Sequence, residues 1–301
     1  MQARAWFRHF AVRGVFWRQY LDFAQTDVPF YLRTIMIVLW TCFFYVVAAP
    51  ARRALLRNVE VVLPGSNRLT NHFRAWFTLF NFSWTISDAA DHKLLKTEFA
   101  YSVDGAENLE SLAASKGAIL LTAHMGSYDL GAALFAGRYH REIRMVRAPE
   151  IDEKTAQHVD ESLARATGGA IKVAYSSAGM ALPLELLNAL RAGEIVSILG
   201  DRATDGISQR ETRLFGELVR LPDGPFILAF VTQAPIYPVF ILRTSFHHYK
   251  IVAGAPFYCR RAEGSRDAAV EEALGSWCRK LEEVIRPNWS QWFSLVPIFP
   301  E

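Results

Sequence analysis

From about residue 100 onward, short aliphatic runs alternate with longer segments of helical periodicity, and this alternation restricts the possible folds more than any other property of the chain. Runs at 118–123, 143–148, 170–174, 195–199, 236–242 and 249–255 read as strands, and 127–138, 152–166, 178–192, 225–233 and 268–286 read as helices. Strands separated by helices are joined by crossovers, so the expected architecture is α/β, a mostly parallel central sheet flanked by helices. The last helix is the clearest: Val270, Leu274, Trp277, Leu281 and Val284 form its apolar stripe, and Pro287 ends it. Residues 1–95 have another texture, helical and rich in Phe and Trp over Asn71–Asp88. The chain therefore divides into an N-terminal helical region, 1–95, and an α/β domain, 96–301.

One strand runs directly into chemistry. Residues 118–129 read Ala-Ile-Leu-Leu-Thr-Ala-His-Met-Gly-Ser-Tyr-Asp. A histidine at the end of a buried strand, with a carboxylate in the first turn of the next helix, is a general base with an orienting partner. Composition alone predicts about one His-x4-acid match by chance, and one is found, so context has to carry the argument. The six residues before His124 are uncharged and mostly aliphatic, while Gly126 and Ser127 are small enough to let the chain leave the strand and begin a helix. His124 and Asp129 do not share one face of a straight helix and can meet only across that turn. In parallel sheets ligands gather at the carboxyl ends of strands, and two further ends carry reactive side chains: Arg147 closes 143–148, and Asp201-Arg202 follow 195–199. A salt bridge for either arginine and a turn cap for Asp201 are the plainer alternatives.

Composition removes several classes. The net charge is only +3 with no dense basic run, so nucleic acid is not an expected partner. Cys42, Cys259 and Cys278 fit neither a disulfide framework nor a zinc site and suggest a reducing compartment. No metal cage or phosphate loop is present, and a serine hydrolase of the Gly-x-Ser-x-Gly type is excluded by the absence of that motif.

Hydrophobic residues make up 51% and aromatic residues 13%, with the excess near the N-terminus. Thr34–Ala51 is a run of 18 uncharged residues, the lower limit for crossing a bilayer. Spanning with the body inside would leave Arg4, Arg8, Arg13, Arg18 and Arg33 outside, against the positive-inside tendency. Trp6, Phe10, Trp17 and Leu21 fall on one stripe with Arg4, Arg8 and Asp22 opposite, the pattern of a helix lying in a membrane interface. No cleavage site of a secretory signal follows. A monotopic or shallowly inserted protein with its body in the cytoplasm is expected, ahead of a single N-terminal span, with ordinary core helices as a further alternative for 34–51.

Taken in order along residues 50–300, the marks resemble the lysophospholipid acyltransferase superfamily, in its bacterial late lipid A (lauroyl/myristoyl) branch. They are Arg57-Asn58 with Leu63-Pro64, His124-Met-Gly-Ser-Tyr-Asp129, Arg147-Ala-Pro149, Arg165 before Gly168, and Ala189–Glu194 leading to Gly200-Asp201-Arg202. Gly206, Leu214-Phe215-Gly216, Ala234–Pro238 and Pro287-x-Trp-x-Gln-Trp292 complete the series. Two positions depart from that branch, which usually has Glu where this chain has Asp129 and Asp-Gln or Asp-His where it has Asp201-Arg202.

The resemblance implies a glycerolipid acyltransferase-like fold and transfer of a fatty acyl group from a thioester, of acyl carrier protein or coenzyme A, to a hydroxyl of a lipid. The thioester is a co-substrate, and no resident cofactor or metal is expected. His124 would be the base and Asp129 its orienting carboxylate, with Gly126, Arg147, Arg165, Asp201 and Arg202 at the substrate. An alcohol attacks a thioester only if a base takes its proton as the C–O bond forms, so the chemistry and the residue types agree. Hydrolysis by the same pair (a lipid esterase or thioesterase) and a non-catalytic membrane-surface scaffold are the competing readings.

Overall fold

The computed structural model describes residues 23, 24, 26–95, 99–148, 157, 160, 161, 163, 164, 167–176, 179, 181–202, 206–260 and 265–300, excluding the side chains of 30, 92–95, 129, 130 and 133. The amphipathic stripe expected around Trp6–Leu21 and most of the helix expected at 152–166 lie outside the described residues.

Seven strands form one sheet. In chain order they are β1 (Ala100–Asp104), β2 (Ala118–Thr122), β3 (Ile143–Arg147), β4 (Ile171–Tyr175), β5 (Ile195–Leu199), β8 (Ile236–Ser245) and β9 (His248–Ala253). Their spatial order is β1-β9-β8-β2-β5-β3-β4, and every neighbouring pair is parallel except β8 with β9. The exception is local: Phe246-His247 turns the chain back after β8, with His247 at φ 54°, so β9 must run the other way. All five residues of β2 are buried, as a strand covered on both faces requires. Its Ile119 and Leu121 join one core with α6 (Ala181–Arg191), α7 (Gly224–Thr232) and α8 (Arg266–Ile285), and its Ala118 and Leu120 join another with α4 (Ala106–Ala114) and α5 (Tyr128–Tyr139).

Three parts depart from the sequence reading. β1 was not expected; it lies at the sheet edge, where only half of its residues need be apolar. Helix α4 was not read either, and the single antiparallel pair, β8 with β9, leaves the sheet mostly parallel as expected. A hairpin of β6 (Gln209–Leu214) and β7 (Glu217–Pro222) stands apart, turned by Phe215 and Gly216 at φ 52° and 84°, and buries Leu214, Val219 and Leu221 against α8.

The N-terminal helices are α1 (Phe30–Val47), α2 (Ala49–Val62) and α3 (Arg68–Leu95). The apolar run at 34–51 is not one helix. Pro50 cannot supply an amide to continue α1, and Arg52 instead donates from Nη1 to the carbonyls of Tyr45 and Val46, at 2.5 and 2.8 Å. The chain bends by 94° at Ala48, and among the described residues no single helix is long and apolar enough to cross a membrane. Along α1, Tyr31, Ile35, Leu39, Phe43 and Val46 remain exposed on one face. The opposite side is tied to α3 by Arg33, paired to Asp91 at 3.0 Å, and α3 in turn to β8 by Asp88, paired to Arg243 at 2.9 Å.

Candidate active site

The two central strands deliver a histidine and an aspartate side by side. β2 and β5 are in parallel register with Thr122 opposite Leu199, and the Gly200 amide donates to the Thr122 carbonyl at 2.8 Å, carrying the pairing one step further. Two residues past the register pair stand His124 and Asp201. Asp201 Oδ1 accepts from the His124 amide at 3.1 Å and lies 2.8 Å from His124 Nδ1, while Oδ2 accepts from Trp292 Nε1 at 2.9 Å. The carboxylate is fully buried and the imidazole slightly exposed. Burial pushes the Asp201 carboxyl up, but the facing charge and hydrogen bond of His124, the charge of Arg202 and the Trp292 donor outweigh it and hold it at about 2.

An ionised carboxylate only accepts, so the proton of the neutral ring sits on Nδ1 and the Nε2 lone pair faces away from Asp201. Nε2 makes no hydrogen bond among the described residues. Tyr128 meets the ring edge to face, with centroids 5.8 Å apart.

A cavity lies on the same side of the sheet: Thr122, Leu199, Leu120, Ser197 and Met145 line it, and so does Tyr128, the ring against His124, while His124 and Asp201 themselves stand just past the strand ends outside its lining. The cavity lies between the sheet and helices α4 and α5, encloses about 860 Å³ including its mouth, and is predominantly apolar.

The remaining expected residues are placed as follows. Asp129 is the second residue of α5, but its side chain, and with it the expected His124–Asp129 contact, lies outside the described residues. Arg165 lies outside them as well. Arg147 ends β3, half-buried, two residues beyond the Met145–Ser197 register pair and on the face of Met145. Arg202 is half-buried beside Asp201 and makes no hydrogen bond to a described residue.

Asp201, expected at the substrate, has both oxygens hydrogen-bonded inside the protein, Oδ1 to His124 and Oδ2 to Trp292. Gly126, also expected at the substrate, has its amide bound to the Gln291 carbonyl at 3.0 Å. It adopts φ 52°, and a Cβ there would run into the Ile241 carbonyl, so its glycine is a requirement of close backbone approach. The amides available to an oxyanion are those in the first turn of α5, whose cap residue Ser127 makes no side-chain bond to them.

Gln291, Trp292 and Phe293 were not read from the sequence as site residues. Trp292 bridges antiparallel to Met125, and the Phe293 amide donates to the His124 carbonyl at 2.7 Å. The only hint was the terminal Trp289-x-Gln-Trp292 cluster, which has no spacing tied to a mechanism.

Among the described residues one group has the composition of a cation site. Asp88, Asp91 and His247 bring ligand atoms within 4.8 Å of one another. Arg33 and Arg243 already neutralise both carboxylates, which leaves no excess negative charge for a metal ion.

Residues 42–300 match the family model described as bacterial lipid A biosynthesis acyltransferase. Among solved structures, the chain is similar to the 1-acyl-sn-glycerophosphate (LPA) acyltransferase PlsC from Thermotoga maritima, at 14% identity and a TM-score of 0.38, over 84% of this chain and 97% of that one. None of the curated proteins matches it.

Proposed function

Since the chain belongs to the family of bacterial lipid A biosynthesis acyltransferases, we propose that it moves a fatty acyl group from an acyl thioester, of acyl carrier protein or coenzyme A, to a hydroxyl of a lipid, with His124 as general base. Acyl transfer to a lipid is the activity of that family; the donor and the residue roles are the proposal. The observation that carries it is the 2.8 Å contact of His124 Nδ1 with a buried, ionised Asp201 beside an apolar cavity.

The acceptor hydroxyl gives its proton to His124 Nε2 as its oxygen bonds to the thioester carbonyl carbon. The carbonyl oxygen becomes an oxyanion, met by the first-turn amides of α5 or by Arg147. When the carbonyl re-forms, the C–S bond breaks and the thiolate leaves, taking the proton from the imidazolium. Asp201 fixes the tautomer and offsets the charge that develops on the ring, and Asp129 adds a second carboxylate at the start of α5. The departing thiolate has an ordinary pKa of about 8.5 and needs no strong acid. The acyl chain occupies the cavity, while Arg147, Arg165 and Arg202 meet the anionic parts of donor or acceptor. The exposed face of α1 rests on the lipid surface, at the cytoplasmic face of the inner membrane.

The test is transfer by purified protein from acyl carrier protein and coenzyme A thioesters to a panel of lipid hydroxyls, with products weighed by mass spectrometry. His124→Ala and Asp201→Asn are each expected to lose about 10²–10⁴-fold in turnover while staying folded. Asp129→Asn is expected to fall steeply as well. Wild-type turnover in His124→Ala, or thioester cleavage indifferent to an acceptor, would overturn the reading.

A further inference from the structure

Asp201 is held from a direction that the acyl-transfer reading leaves unused. Its outer oxygen, Oδ2, accepts from the indole of Trp292, which is itself buried. Trp292 belongs to a segment that is fastened at several points. Gln291 and Phe293 bond the backbone of Gly126 and His124, at 3.0 and 2.7 Å. The Gln291 side chain accepts from the Arg243 amide at 2.7 Å and donates to the Arg243 carbonyl at 2.9 Å, so it pairs with β8 as another strand would. On the far side, buried Asn58 of α2 donates to the Ser294 carbonyl at 3.0 Å, and Phe293 packs on Phe82 of α3 with centroids 5.3 Å apart.

We propose that Trp292 is a positioning residue for the reaction, and that residues 289–296 form a strap that keeps the Asp201 carboxylate, and through it the His124 ring, in the orientation proton transfer needs. The inference rests on the acyl-transfer reading and names the group on which its base depends. A carboxylate buried with one donor per oxygen has a single low-energy orientation; without the indole, Oδ2 is a desolvated acceptor with no partner. The plane of Asp201 is then free to turn, and the negative charge formerly shared with the indole concentrates toward His124. The first change lowers turnover, and the second raises the affinity of the ring for a proton. The other charged residues at these strand ends, Arg147 and Arg202, and Asp129 at the start of α5, are unchanged in the variant.

Trp292→Phe keeps an aromatic ring against Phe299 and removes the donor together with part of the buried indole's volume. In the full chain it is expected to lose about 10–100-fold in kcat, the range for a group that orients a catalytic residue through its partner, with little change in KM. The acid limb of the pH–rate profile is expected to move to higher pH, and the His124 titration followed by NMR to move the same way. A wild-type kcat and profile would overturn the proposal. So would a fall in kcat that matches the loss of folded protein while the His124 titration stays put. If Trp292→Phe does not fold, Asn58→Ala decides, because it frees the strap from α2 without touching the pair; a smaller shift of the same sign is expected, and none would overturn the proposal. The NMR arm separates this failure from the other: an active His124→Ala refutes the base, whereas an unmoved ring titration in Trp292→Phe refutes the strap.

Discussion

A carboxylate sealed from water stays ionised only when what faces it outweighs the loss of hydration, and at Asp201 the facing groups are His124, Arg202 and Trp292. Its folded value of about 2 lies below the ordinary 3.8, so ionised Asp201 stabilises the fold above pH 4. That contribution, roughly 2 kcal/mol, is lost as the pH falls from about 4 to about 2. Denaturant melts of wild type and Asp201→Asn across that window are expected to converge toward the acid end. At Gly126, Ala would meet both a positive φ and the Ile241 carbonyl, and a loss of more than about 2 kcal/mol in unfolding free energy is expected. His124 was legible because a strand end followed by turn residues is a local pattern. Its partner was not: Asp201 lies 77 residues away and reaches the histidine only through strand order, which no local spacing encodes.

Helix α5 approaches the sheet closely because Gly131 leaves room for Ile241; a Cβ at 131 would overlap Ile241 Cδ1. Gly131→Ala is therefore expected to lower the melting temperature, and Ile241→Val, which removes that terminal methyl, to restore part of it in the double variant. Additive losses in a four-way thermal comparison would contradict this packing. All of the strands read from hydrophobic runs are present within two or three residues of their expected limits, because buried strands must be apolar throughout. The elements that escaped are β1 at the edge and the β6–β7 hairpin, whose apolar residues alternate with polar ones, the nine-residue helix α4, and the reversal of β9, which follows from a two-residue turn at Phe246-His247.

Across the whole molecule, one side of α1 presents Ile35, Leu39, Phe43 and Val46 to solvent, with exposed Cys42 beside them. The other two thiols are inside: burial pushes Cys259 up and Cys278 to about 11. A water-soluble maleimide is expected to modify Cys42 alone in the folded protein, and anionic lipid vesicles to slow that reaction. Leu39→Glu with Val46→Glu is expected to abolish vesicle co-sedimentation without lowering the melting temperature; unchanged sedimentation would place the lipid contact elsewhere.

The strap has a consequence in time. His124 and Asp201 leave the ribosome well before Trp292, and Asn58 precedes its partner Ser294 by 236 positions. A nascent chain halted ahead of Gln291 thus owns both members of the pair but nothing to brace them, and closing so wide a span belongs among the slow steps of maturation. The brace of the pair therefore arrives last, after every strand of the sheet has been made.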